Sequence, residues 1–211
     1  MYSLCLETCL GGFYVGVGQT KSNNGFDILK SKFDKNPRVA NATIQSEVSR
    51  LMSDLNLSPS DLGEIILSTG PGSFTGIKLS SAFALGLKFS HPKSIVIKSF
   101  DALSSLSKML SKRCLLKSTS KTGFLADSAQ TQNIELDAVK KGDLCWNEWE
   151  PLTNQSIEFV ENDSKSEYLD KMFSYVVENN LLNNFSGANY LKAPIIHKKK
   201  NQKNGAVHEK I

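Results

Sequence analysis

Histidine is scarce in this chain. Only His91, His197 and His208 occur in 211 residues, and no two lie one helical turn apart. A metal centre built on paired imidazoles therefore has no residues to draw on. Cysteine is sparse too. Cys5, Cys9, Cys114 and Cys145 form no C-x-x-C pair and have no histidine close in sequence, which leaves no zinc knuckle and no dithiol motif. Four reduced thiols are expected, with Cys5 buried. No apolar run approaches the roughly 20 residues that span a bilayer. The opening Met1-Tyr2-Ser3-Leu4-Cys5-Leu6-Glu7 lacks a basic leader and reads as a first strand, so the expected location is cytoplasmic, with no membrane partner.

Charge of one sign is also missing from most of the chain. The formal net charge is +4, yet from His197 onward Lys198, Lys199, Lys200, Lys203 and Lys210 stand against Glu209 alone. That tail carries the whole excess, so the body is formally neutral and has no net basic charge with which to hold RNA by itself. The tail is suited either to salt-dependent contact with phosphate or simply to solvation.

What is present is ordinary for a globular domain: 40% hydrophobic and 22% charged residues. Three strands are predicted at Tyr2–Leu6, Phe13–Val17 and Phe26–Phe33, the last two separated by the Asn23-Asn24-Gly25 turn. Ile44, Val48, Leu51, Met52 and Leu55 recur at helical period. Ser58-Pro59-Ser60-Asp61 reads as a capped helix start. Ile65-Ile66-Leu67 reads as a buried central strand. A helix over Ile77–Leu87, a strand over Ser94–Lys98 and a helix over Ser99–Leu110 follow. The second half offers strands at Phe124–Asp127, Ile134–Val139 and Leu144–Trp149, then a helix over Ser166–Asn179 marked by Leu169, Met172, Phe173 and Val176. The β-β-β-α order appears twice, which suggests an internal duplication.

Two features stand out. Gly70-Pro71-Gly72-Ser73-Phe74-Thr75-Gly76 sits between a predicted strand and a helix. One reading is a phosphate cradle at a helix N-terminus, with donors from Gly70, Gly72, Ser73 and Thr75. It lacks the P-loop lysine, and its glycine spacing is not that of a dinucleotide fingerprint. The other reading is a tight turn that lets the helix pack closely on the sheet. In the helix itself, Gly76, Ser80 and Ala84 form a small-residue stripe beside Phe83 and Leu87. Such a face suits close helix packing, either internal or across a protein–protein seam.

At Gly70–Gly76 the sequence closely resembles the TsaB (YeaZ) family. Leu4-Cys5-Leu6-Glu7-Thr8, Ser99-Phe100-Asp101-Ala102-Leu103, Ala126-Asp127-Ser128 and Tyr190-Leu191-Lys192-Ala193-Pro194 fall in family order. The resemblance implies a duplicated two-lobed α/β fold of the actin-like/Hsp70-like (ribonuclease-H-related) type, with a mixed sheet in each lobe. The lobes would span residues 1–110 and 111–195, followed by a basic tail over 196–211. It further implies a non-catalytic subunit without a cofactor or metal of its own. Such a subunit supports a TsaD-type catalytic partner in making N6-threonylcarbamoyladenosine at position 37 of tRNAs reading ANN codons. A TsaE-type ATPase joins the complex, tRNA is met indirectly, and the isolated protein is able to pair with itself. The partner surface would comprise Ile44, Val48, Leu51, Gly76, Ser80, Phe83, Ala84 and Leu87. The catalytic relative's His-x-x-x-His metal pair has no counterpart here. The sequence departs from the family at Glu7 (usually aspartate), at Asn41-Ala42-Thr43 (often histidine) and at Lys78 (commonly arginine). The alternative is an ATP-binding phosphotransferase-like enzyme of the same superfold, with Glu7 and Asp127 each closing the first strand of its lobe.

Overall fold

The computed structural model describes residues 1–36, 40–91, 95–147, 152 and 157–186. The Tyr190–Pro194 string and the lysine tail lie outside them. The first half runs β1 (Tyr2–Glu7), β2 (Phe13–Thr20), β3 (Phe26–Asp34), α1 (Ala40–Asp54), β4 (Leu62–Ser68), α2 (Phe74–Ser90), β5 (Val96–Phe100) and α3 (Ala102–Leu110). The second runs β6 (Cys114–Lys117), β7 (Thr122–Ala126), β8 (Thr131–Glu135), β9 (Leu144–Cys145), β10 (Glu158–Phe159), α4 (Lys165–Glu178) and β11 (Asn183–Asn184).

The duplication is plain in the strand order. The first sheet reads β11-β5-β4-β1-β2-β3 and the second β10-β9-β6-β7-β8. In each, three strands form an antiparallel meander, and two more add in parallel beside the first of them. The counterpart of β1 is therefore β6, a four-residue strand that the sequence reading did not find. Phe124–Ala126 belongs to the second strand of its lobe, not the first. Ile134 likewise lies in β8, which ends at Glu135, and the chain then leaves the sheet in a 3-10 turn over Leu136–Ala138.

Strand alternation sorts the core into layers. On the outer side of the first sheet, Leu4, Leu6, Phe13, Val15, Ile65 and Leu67 pack with Ile44, Val48 and Leu51 of α1 and with Ala84 of α2. On its inner side, Cys5, Tyr14 and Ile66 join a central core that also takes Cys114, Leu116, Phe124 and Trp146 from the second sheet. The helices α3 and α4 lie in this middle layer, α3 against β6 and β7, and α4 against β3 and β2. Tyr14 fixes α4: its ring stacks on Phe173 at 5.3 Å, and its hydroxyl donates to Asp170 Oδ1 at 2.7 Å. Fewer of the described residues cover the outer side of the second sheet. Leu115, Leu125, Ile134 and Cys145 meet Leu152, with Val139, Ile157 and Phe159 at the margin, and no α-helix lies there among the described residues.

Candidate partner interface and the glycine-rich turn

The glycine-rich turn follows β4. The Gly70–Pro71 peptide is cis, and Gly70 and Gly72 have φ of +116° and +147°, a region that favours glycine. A Cβ on Gly72 would lie 2.0 Å from the Cys9 carbonyl oxygen, and one on Gly76 would lie 1.8 Å from that of Thr8. Both glycines are thus required by backbone-to-backbone approach. The Ser73 N–H donates to Cys9 O at 2.9 Å, and Ser73 Oγ caps α2 by accepting from the Gly76 N–H at 3.1 Å. Thr8 Oγ1 donates to Gly76 O at 2.7 Å and sits 3.0 Å from Ser80 Oγ. The turn clamps the start of α2 onto the loop after β1. Two of the donors expected for a phosphate cradle are thereby used inside the chain. Ser73's amide and hydroxyl are both engaged within the chain, Gly70 is buried, and of the four expected phosphate-site residues only Thr75 is exposed.

Glu7 closes β1 and is fully buried. Its Oε1 accepts from the Cys9 N–H (2.6 Å), the Leu10 N–H (2.9 Å), Cys9 Sγ (2.8 Å) and Ser68 Oγ (3.2 Å). Oε2 is buried and has no hydrogen-bond partner among the described residues. Burial raises the Glu7 pKa above the usual carboxylate range, against the pull of those four donors. It also pushes the Cys9 thiol well up, with the adjacent Glu7 adding to the shift. Cys9 is accordingly a poor nucleophile. Asp127 is different in kind. It follows β7 in an exposed turn and accepts from the Gln130 and Ala129 N–H groups at 2.9 Å, which lowers its pKa. Glu7 and Asp127 therefore do not occupy equivalent places in the two lobes, and the expected symmetric pair of acids is not formed. Sequence reasoning also passed over Asp101 as a cap. Its Oδ1 accepts the Ser104 N–H at 2.7 Å, and burial raises its pKa. Its place one residue before a helix was the available signal. No group of three His, Cys, Asp or Glu side chains is placed to hold a metal among the described residues.

The predicted open seam on α2 faces inward. Ser80 and Ala84 are buried, and Gly76 is pressed on Thr8. Ile44, Val48 and Leu51 are sealed in the core beneath α1. The physical reason lies in α2's composition. Phe74–Ser90 carries small or apolar residues nearly all round, with Lys78 and Lys88 its only charged residues, so its spacing does not mark a solvent side. Phe83 and Leu87 are half-buried. They line a groove of ≈ 810 Å³ between α1 and α2, together with Met52, Leu57 and Ala82, and no charged residue lines it. One exposed stripe of α2 carries Ala82, Leu85, Gly86 and Phe89, and its two small residues, Ala82 and Gly86, border the groove. Phe89 is 88% exposed and Leu85 50%. A Cβ at Gly86 would meet nothing within 4 Å.

Comparisons with known proteins agree with this architecture. Residues 37–135 match the family model of TsaD, tRNA N6-adenosine threonylcarbamoyltransferase. A solved structure described as an uncharacterized protein with similarity to peptidase YeaZ from Pseudomonas aeruginosa superposes with a TM-score of 0.68 at 12% identity, over 90% of this chain and 99% of that one. YeaZ from Pseudomonas aeruginosa superposes with a TM-score of 0.63 at 12% identity, over 87% of this chain and 95% of that one. No curated protein matches the chain significantly by sequence. Strand order and superposition define the class: a duplicated α/β protein of the actin-like superfold. The TsaD family model matches somewhat less than half of the chain, and the likeness to the YeaZ structures is one of fold.

Proposed function

We propose that this chain is a non-catalytic subunit of the machinery that forms N6-threonylcarbamoyladenosine at position 37 of tRNA, and that it docks and supports a TsaD-type catalytic partner. One observation carries the proposal. The exposed face of α2 combines a close-approach stripe, Ala82 and Gly86, with two uncovered apolar side chains, Leu85 and Phe89, beside an uncharged groove. A face of this kind is costly in water and suits the close packing of a partner's helix. The TsaD family match supports the choice of pathway. The non-catalytic reading rests on the lack of paired histidines in the sequence and on Glu7, whose Oε1 is taken up by the chain's own donors. The TsaE-type ATPase, indirect contact with tRNA, a cytoplasmic location and self-association when isolated belong to the same proposal, as does the division into lobes 1–110 and 111–195.

The test follows from the two faces of α2. Gly86→Glu puts a charge on the outer stripe without touching the fold, since the site is open and glycine is a poor helix former. Size-exclusion chromatography of the protein with a purified TsaD-type partner is expected to give a joint peak for the wild type and separate peaks for Gly86→Glu and Phe89→Asp. A joint peak for both variants places the partner surface elsewhere.

A further inference from the structure

A second groove lies on another side of the molecule, along the exposed flank of α4. Its volume is ≈ 1040 Å³, and it runs between α4, the edge strand β3 and the end of α3. Its apolar floor includes Leu29, Met109, Leu110 and Tyr168, and its charge is one-sided. Asp27, Glu167, Asp170 and Glu178 line it against Lys171 alone. Asp170 and Glu178 are held by the Tyr14 hydroxyl and the Phe26 N–H. Asp27 and Glu167 are more than half exposed and meet the surface ammonium groups of Lys21 and Lys171. Pairs of that kind are weak and readily exchanged.

We propose that this groove docks the chain's own lysine-rich segment, residues 197–210. The argument is charge complementarity within one covalent chain. The body is neutral overall yet gathers four carboxylates in this groove, and the excess positive charge of the chain lies in Lys198, Lys199, Lys200, Lys203 and Lys210. The tether is long enough. The last described residue is Ser186, just past β11, and β11 and β3 are the two edges of one six-stranded sheet. Five strand spacings cover about 24 Å, and residues 187–196 reach up to about 33–36 Å when extended. Tethering also supplies an effective concentration of about millimolar, so weak surface attractions suffice. Docking withdraws the chain's concentrated positive charge from other polyanions until one competes for it.

Trypsin cleavage of the lysine tail in the full chain tests this, with each rate normalised to a free peptide of residues 196–211 in the same buffer. Protection of about threefold or more is expected at low salt, and its loss is expected near 0.5 M salt, where the Debye length falls to a few ångströms. Asp27→Lys with Glu167→Lys should abolish the protection. Glu135→Lys with Asp137→Lys, the same charge change on exposed residues around β8, should leave it in place. Equal cleavage in the wild type and the groove variant overturns the proposal. So does equal loss in both double variants, which would indicate overall charge rather than this groove. Protection that grows with protein concentration overturns it in favour of a second copy's tail.

Discussion

The two sheets share the order of five strands but differ in what covers their outer faces. The first sheet lies under two long helices whose inner faces supply Ile44, Val48, Leu51 and Ala84 to a closed core. The second carries only Leu152 and a few half-buried side chains among the described residues. Hydrogen-bonded pairing is a property of the backbone and survives large changes in side chains. In this molecule the first lobe keeps both its helices and also holds the exposed apolar stripe.

The largest expected break in this contrast is at the seam between β1 and α2. Gly76→Ala drives a methyl into the Thr8 carbonyl, and Gly72→Ala drives one into that of Cys9. Each should cost about 3 kcal/mol or more, read as a fall in the midpoint of urea unfolding. Core truncation should come next and should separate the lobes. Leu51→Ala, sealed under α1, is expected to lose about 3–4 kcal/mol, whereas Leu125→Ala, on the sheet face over which no α-helix lies among the described residues, should lose nearer 2. Equal losses would show that the second lobe's cover is as rigid as the first's.

A smaller effect concerns pH. Burial raises the Glu7 pKa in the folded state, so folding is favoured by the proton it retains. That contribution is fully present below the ordinary glutamate pKa and declines as pH rises through the raised folded value. Urea melts of Glu7→Gln should therefore show a flatter dependence than the wild type as pH rises from about 4.3, and parallel curves would contradict the buried-acid account. The smallest effect is on the outer face of α2. Gly86→Ala should stabilise by about 0.5–1 kcal/mol, the opposite sign to Gly76→Ala ten residues earlier in the same helix, as thermal melts can verify.

Much of the first lobe was legible before any coordinates. The meander, the period of Ile44 to Leu55, the Ser58–Asp61 box and the central Ile65–Leu67 run all appear close to where they were expected. The Ser58 N–H does bond to Asp61 Oδ2 at 2.7 Å. In the second half, α4 was clear from Leu169, Met172, Phe173 and Val176. The strand Cys114–Lys117 was not, because four residues between a helix and a polar stretch carry too little periodicity to register. Missing it shifted every later correspondence by one strand and paired Glu7 with the wrong residue.

The sequence by itself determined most strands and helices of the first half, helix α4, the acute turn at Gly70–Gly72 and the family resemblance, since these rest on local backbone preference and short-range pattern. Only the tertiary structure decided which side of α2 meets water and that Glu7 Oε1 binds its own loop. A helix that is small or apolar all round has no preferred face until a sheet is laid against it. A buried carboxylate likewise has no partner until the following turn folds back and supplies its donors.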